Sequence, residues 1–195
     1  MKTSTNETSQ LIDRYGRKID YIRLSVTDRC DLRCVYCMSE DMQFVPRSQV
    51  LTLEEIEKIA SAYVELGVTK IRITGGEPLV RKNIISLFNR LGQLEGLKDL
   101  TLTTNGTQLQ KYAADLKTAG VTRINISLDT LNPELFHTIT RNGQIDKTLQ
   151  GIDAAIEQGF SKVKINSVIL KNHNHHEVID LVNFAIERGI DVSFI

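Results

Sequence analysis

The sequence predicts an α/β protein whose parallel sheet curves around an internal cavity. Strand and helix patterns alternate along the chain, which is typical of parallel sheets with helices on their outer face. The strands alternate apolar and polar residues, whereas strands covered by helices on both faces form continuous apolar runs. One face must therefore pack on helices while the other meets something polar. A curved sheet around a wet ligand chamber satisfies both conditions, unlike a closed eight-stranded barrel, whose lumen is filled with apolar side chains.

Six strands and five helices are predicted in order along the chain. The strands are residues 21–27, 70–74, 100–104, 123–128, 162–170 and 191–195. The helices lie in residues 52–67, 81–91, 109–116, 133–158 and 175–188, and the fourth is broken around residues 142–143. The first helix has the clearest signals, because Thr52 and Glu55 form a capping-box pattern and Gly67 provides an end.

Length and composition indicate one ordinary globular domain. The chain has 195 residues, of which 41% are hydrophobic and 25% are charged, and its net charge is zero. This neutral balance gives no support for binding to nucleic acid or to an anionic membrane surface. No apolar run approaches the ~20 residues that cross a bilayer. We expect a disordered polar tail over residues 1–12, a single domain over residues 13–195 and a cytoplasmic location.

Three cations lie on the polar face of the predicted strands. Arg23, Arg72 and Lys164 occupy the inward positions of the first, second and fifth strands. A packed core would not explain cations on the same face of three strands, and arginine is well suited to phosphate. Ion pairs with nearby carboxylates are the alternative explanation.

The three cysteines of the chain, Cys30, Cys34 and Cys37, all lie in the loop after the first strand. Thiolates bind soft metals, and iron–sulfur clusters use short spacings of this kind. A structural zinc site needs four ligands, and no histidine lies near the cysteines in sequence. Three ligands with an open position indicate a reactive centre. The alternatives are a redox pair that leaves Cys30 over, a zinc site completed by a distant histidine, and a disulfide framework, which the odd count disfavours.

Further motifs lie at the carboxyl ends of strands, where the active sites of β/α barrels are built. Residues 74–78 (TGGEP) follow the second strand, residues 102–106 (LTTNG) end the third, and residues 127–129 (SLD) end the fourth. Glu77 could neutralise a ligand ammonium group. An ordinary turn at residues 105–106 and a helix cap at Asp129 remain open as structural explanations.

The pattern Cys-x3-Cys-x2-Cys after a first strand resembles the radical S-adenosylmethionine (SAM) superfamily. The resemblance implies that the three cysteines hold three irons of a [4Fe–4S] cluster, and that the fourth iron binds the amino and carboxylate groups of SAM. It also implies a partial TIM-type barrel of the (β/α)6 kind. We expect this sequence to stop within the sixth strand of that barrel.

Residues 15–30, 70–79 and 102–106 are similar to one branch of that superfamily, the GTP 3',8-cyclases of molybdenum cofactor biosynthesis. In that family a radical derived from SAM takes hydrogen from the GTP ribose, and ring closure gives 3',8-cyclo-7,8-dihydro-GTP. The resemblance implies GTP, an electron donor and a homodimer as partners, and it assigns no catalytic residue. By position it implies GTP contacts for Arg23, Arg72, Thr103 and Lys164, and SAM contacts for Tyr36, Gly76 and Ser127.

The sequence departs from this family in two places. The loop after Cys37 looks short, and the family has a C-terminal region with three more cysteines that hold a second [4Fe–4S] cluster. This chain has no cysteine left for a second cluster, so we expect an N-terminal portion that keeps the SAM cluster and part of the GTP pocket. A radical SAM enzyme acting on another substrate, such as a peptide, and a zinc-binding interaction module are the alternative functions.

Overall fold

The computed structural model describes residues 10–195 and contains one parallel sheet of six strands. The strands pair in chain order, so that the first and the last lie at the two ends of an open sheet. They are β1 (Tyr21–Ser25), β2 (Lys70–Thr74), β3 (Asp99–Thr104), β4 (Val121–Ser127), β5 (Lys162–Ser167) and β6 (Asp191–Phe194). The predicted α/β fold with an unclosed, barrel-like parallel sheet is confirmed.

Six α-helices connect the strands in the described part of the chain. They are α1 (Leu53–Glu65), α2 (Ile84–Leu91), α3 (Leu109–Thr118), α4 (Pro133–Thr140), α5 (Ile145–Glu157) and α6 (Val178–Glu187). The predicted capping box is present, since the Thr52 hydroxyl accepts from the Glu55 amide and the Glu55 carboxylate accepts from the Thr52 amide. The predicted break near residue 142 separates α4 from α5.

Two predicted strands extend at least two residues beyond the observed ones. The first ends at Ser25 and the fifth at Ser167, because the chain then leaves the sheet to form loops. Asp28 in the first loop accepts the Val45 amide at 2.6 Å, and Asn174 accepts the Leu170 amide at 2.7 Å in the second. Side-chain hydrogen bonds thus hold both loops in place.

The predicted tail covers residues 1–12. Residues 1–9 lie outside the described residues, whereas residues 10–12 are described. Ile12 forms an antiparallel bridge with Lys18, and the Leu11 amide donates to the Leu66 carbonyl at 3.3 Å. Leu11 also packs against the core. Residues 10–12 therefore belong to a hairpin that contacts the end of α1.

The two faces of the sheet differ as the alternation predicts. Apolar strand residues such as Ile71, Leu102 and Ile124 are fully buried against the helices. The opposite face carries rows of polar side chains at equal height, since the strands are parallel and in register. One row is Arg23, Arg72, Thr101, Arg123 and Lys162, and the next includes Thr103, Asn125 and Lys164. No helix within residues 10–195 is long and apolar enough to span a membrane.

Candidate functional site

The loop after β1 brings the three cysteines together at the carboxyl end of the sheet. All three are free thiols, with Cys30 and Cys34 partly buried against the core and Cys37 exposed. The amides of Cys37 and Met38 both donate to the Cys34 carbonyl, at 2.9 and 3.1 Å, which turns the chain between the second and third thiols. The Arg33 and Val35 amides donate to carbonyls at the end of α4, so the loop is anchored at its middle.

The electrostatics of this loop fit a cationic, thiophilic ligand. Burial raises the pKa of the Cys34 thiol to about 12, and the Asp129 carboxylate and the Cys30 and Cys37 thiols act in the same direction. Burial also raises the pKa of the Cys30 thiol. Thiolates are therefore costly here without a ligand, and the irons of a cluster would offset that cost because they bind the deprotonated form. Three free thiols in one loop fit a [4Fe–4S] cluster with one iron left for SAM.

No three His, Cys, Asp or Glu side chains within residues 10–195 are arranged to hold a single metal ion. Within the histidine-rich segment at residues 173–176, Asn174 has a structural role. Asn174 is fully buried, and its side-chain amide donates to the carbonyls of Asp129 and Val168 at 2.6 and 2.8 Å. Asn174 thus joins the ends of β4 and β5.

The TGGEP turn packs directly beneath the cysteine loop. The Gly76 amide donates to the Thr27 carbonyl at 2.7 Å, and the Glu77 amide donates to the Arg29 carbonyl at 2.8 Å. A Cβ atom on Gly76 would lie 2.4 Å from the Arg29 carbonyl oxygen and 2.7 Å from that of Asp28. Only glycine permits this approach of two backbones. Since the Gly76 amide is engaged, a contact from Gly76 to SAM would have to use its carbonyl oxygen.

Gly76→Ala should displace the cysteine loop and lower the iron content of the reconstituted protein severalfold. We expect a loss of about 1–3 kcal/mol in the free energy of unfolding, because the added methyl group overpacks a backbone contact. Gly67→Ala is the matched control. Gly67 has a φ of 93°, so alanine is strained there too, but a Cβ would meet no residue of the cysteine loop. Equal iron contents in the two variants would contradict the assigned contact.

Glu77 is fully enclosed rather than directed at a ligand. Its carboxylate accepts from the Leu79 amide at 2.9 Å, the Thr104 hydroxyl at 2.8 Å and the Asn105 amide at 2.6 Å. Burial raises its pKa to about 7. The suggestion that Glu77 neutralises a ligand ammonium group is therefore not supported, since protein donors from the end of β3 occupy the carboxylate.

Tyr36 and Asp129 join the cysteine loop to the far side of the sheet. The Tyr36 hydroxyl donates to Asp129 at 2.5 Å, and the other Asp129 oxygen accepts from the Val168 amide at 2.9 Å. Asp129 is therefore a bridge between loops and not the helix cap considered from the sequence. Ser127 is the last residue of β4 and lies partly exposed two positions before it. Tyr36, Gly76 and Ser127 thus all lie at the carboxyl end of the sheet.

The four residues that the resemblance assigns to GTP line one cavity of about 380 Å³ on the inner face of the sheet. Its lining comprises Arg23, Arg72, Thr103, Arg123, Asn125, Lys162, Lys164, Asn166 and Ile195. Arg123 and Asn125 were not singled out from the sequence, although the alternation along the fourth strand places both on this polar face. They could have been singled out because they share sheet rows with Arg72 and Lys164.

The cations of this cavity fall into two groups: those that form an ion pair with a carboxylate and those that do not. Arg123 pairs with Asp99 at 3.6 Å, and Lys162 pairs with Asp191 at 2.6 Å. Within the described residues Arg23, Arg72 and Lys164 form no ion pair. The buried Thr103 hydroxyl also has no hydrogen-bond partner there. These four side chains are therefore available to a polar, anionic ligand.

The fold and the cysteine loop define the class of protein. The family described as the Radical SAM superfamily matches residues 24–185, so the chain belongs to that superfamily and the predicted family is confirmed. Its similarity to GTP 3',8-cyclases is confirmed as well. The chain is 60% identical over 188 residues to GTP 3',8-cyclase of Ectopseudomonas mendocina, covering 96% of this chain and 57% of that protein. It is 61% identical over 184 residues to GTP 3',8-cyclase 1 of Pseudomonas aeruginosa, covering 94% and 56%.

The chain thus spans somewhat more than half the length of these curated relatives. Among solved structures, Streptococcus suis SuiB bound to S-adenosylmethionine has a TM-score of 0.75 and 26% identity, covering 90% of this chain and 40% of SuiB. Methylornithine synthase (PylB) has a TM-score of 0.70 at 15% identity, covering 89% and 52%, and shows the fold alone. Membership of the superfamily implies a [4Fe–4S] cluster and SAM.

Proposed function

We propose that this chain carries the SAM-cluster site and part of the GTP site of a GTP 3',8-cyclase, a lyase that converts GTP to 3',8-cyclo-7,8-dihydro-GTP in molybdenum cofactor biosynthesis. The single observation that carries this proposal is the cavity of cations, three of them unpaired within the described residues, on the inner face of a radical SAM barrel. The identity of about 60% to curated GTP 3',8-cyclases supports the same substrate.

Cys30, Cys34 and Cys37 would hold the [4Fe–4S] cluster through their thiolates. The cluster and SAM, when bound, supply one-electron radical chemistry for taking a hydrogen atom from a ribose carbon. Tyr36 is suited to hold the cysteine loop in place. It lies between Cys34 and Cys37 in the sequence, and its hydroxyl donates a hydrogen bond to Asp129. The Gly76 carbonyl and the Ser127 hydroxyl would complete the SAM contacts at the same end of the sheet.

Arg23, Arg72 and Lys164 would bind the triphosphate of GTP. A cation in a partly enclosed cavity interacts more strongly with phosphate than one in open solvent, because less water screens the charges. Arginine can also donate two parallel hydrogen bonds to phosphate oxygens. The unpartnered Thr103 hydroxyl would supply a further donor from β3. Together these side chains would hold GTP with its triphosphate inside the barrel.

The proposal also extends to the partners and organisation of the protein. We infer an external electron donor, a homodimer and a cytoplasmic location, as the sequence and its resemblance imply. We also infer a single domain that includes residues 13–195 and the hairpin residues 10–12 that pack on it. The three cysteines of this sequence all belong to the loop after β1, so a second cluster would need ligands from outside these 195 residues.

Anaerobic reconstitution with iron and sulfide, followed by SAM, tests the cluster site. We expect about four irons per chain, visible absorption and an electron paramagnetic resonance (EPR) signal after reduction that changes when SAM is added. A protein that takes up zinc but no iron cluster, and therefore stays colourless, would favour the interaction-module alternative. A cluster whose EPR signal ignores SAM would also contradict the proposal.

A radical SAM enzyme acting on a peptide is the second candidate. The observation in its favour is the similarity to Streptococcus suis SuiB bound to precursor peptide SuiA, with a TM-score of 0.75 and 26% identity over 90% of this chain. A peptide substrate does not require the unpaired cations of the cavity. GTP binding that depends on those cations distinguishes the two candidates.

A further inference from the structure

Asn105 lies at the end of β3 with its side-chain amide against the cysteine loop. Its Nδ2 atom is 2.7 Å from Asp31 Oδ1 and 3.7 Å from Cys30 Sγ. In the sequence, Asn105 belongs to the motif at the end of the third strand, for which an ordinary Asn-Gly turn was left open as the structural explanation. A turn residue does not need to reach a cysteine 75 positions earlier in the chain.

The orientation of the Asn105 amide is determined by its neighbours. The Oδ1 atom accepts from the Thr107 amide at 3.0 Å. A main-chain N–H can only donate, so an oxygen must lie at that position and the NH2 group must face Asp31 and Cys30. One hydrogen of that group is directed to the Asp31 carboxylate, and the other is available to the sulfur.

The partners of Asn105 are themselves held in place. The Thr107 hydroxyl donates to the second Asp31 oxygen at 2.6 Å, which closes a ring of hydrogen bonds through Asn105, Asp31 and Thr107. The Asn105 main chain is fixed by its amide, which donates to the enclosed Glu77 carboxylate at 2.6 Å, and by its carbonyl, which accepts from the Thr148 hydroxyl at 3.0 Å. The amide is therefore oriented before any ligand binds.

We propose that Asn105 is a positioning residue that donates a hydrogen bond to the Cys30 sulfur and thereby raises the reduction potential of the cluster. This inference rests on the proposed cluster site. Reduction adds one electron from an external reductant such as dithionite, and an N–H dipole directed at a ligating sulfur stabilises the added negative charge. The Leu32 amide, 3.4 Å from the same sulfur, acts in the same sense from within the loop.

The test is an EPR-monitored redox titration of the reconstituted chain and of Asn105→Leu, which keeps the side-chain size and removes the donor. At the wild-type midpoint potential we expect the ratio of reduced to oxidised cluster to fall about tenfold, which is ~59 mV for a one-electron couple. Asn142→Leu is the matched control, because the Asn142 amide reaches the Asp31 carbonyl at 3.4 Å but contacts no sulfur. Its ratio should stay within about twofold of the wild type.

Asn105→Ser provides a second variant in case leucine prevents folding, because serine keeps a short polar group at the turn and cannot reach the sulfur. Iron content and thermal unfolding are measured on every variant. An unchanged potential in both loaded Asn105 variants would overturn the inference while leaving the cluster site intact. Loss of iron from both, with normal loading of Asn142→Leu, would also overturn it by making Asn105 a cluster-retention residue. A wild-type chain that takes up no iron would overturn the proposed function itself.

Discussion

Lys164→Ala should weaken GTP binding about 10–100-fold while leaving the iron content of the reconstituted protein unchanged. Lys164 lies in the middle of β5, in the same row as Thr103 and Asn125, and it forms no ion pair with the residues that the structure describes. A hydrogen bond to a charged group is worth about 1.5–3 kcal/mol, and each 1.4 kcal/mol is about tenfold in affinity. Isothermal titration calorimetry with GTP at fixed salt measures the effect.

Lys162→Ala is the control for that prediction, because it removes the same charge from the same strand and the same cavity. Its ammonium group is held by Asp191 at 2.6 Å, so we expect a loss of GTP affinity of no more than about threefold, in line with an exposed ion pair. Equal losses in the two variants would mean that only the net charge of the cavity matters. GTP affinity unchanged in Lys164→Ala would favour a radical SAM enzyme with a different substrate.

Cys34→Ala should abolish cluster binding, with iron and sulfide contents falling at least about tenfold. The two thiolates that remain, Cys30 and Cys37, lie seven positions apart and cannot replace three that each hold one iron. The apo protein should remain folded, because burial raises the pKa of this thiol to about 12 and the group is therefore neutral at pH 7. Its replacement removes one small apolar-like side chain and not a buried charge.

Val35→Ala is the matched control for the loop. The Val35 side chain is exposed next to Cys34, and the hydrogen bond from the Val35 amide to the Ile139 carbonyl does not depend on that side chain. Chemical analysis of iron and sulfide, with circular dichroism for folding, separates the two variants. A [4Fe–4S] EPR signal that persists in Cys34→Ala would contradict the assigned ligands. If the wild-type protein binds zinc rather than iron and Cys34→Ala loses that zinc, the site is a zinc module.

The sequence alone predicted the fold. Alternating polarity in strands such as residues 70–74 indicated a sheet with one polar face, and the structure places Arg72 on that face and Ile71 in the core. Strand parity is a local property with a period of two, so it can be read without knowing the tertiary contacts. The cysteine spacing is equally local, because one loop holds all three residues.

Contacts between distant segments had to come from the tertiary structure. The Tyr36–Asp129 hydrogen bond joins residues 93 positions apart, and the Asn105–Cys30 contact joins residues 75 positions apart. The enclosure of Glu77 likewise depends on donors from the end of the neighbouring strand. Parallel pairing brings the carboxyl ends of strands together whatever their separation in sequence. The sequence therefore determined which residues face the cavity and which loop holds the thiols, whereas only the folded sheet decided which polar groups satisfy one another and which remain available to a ligand.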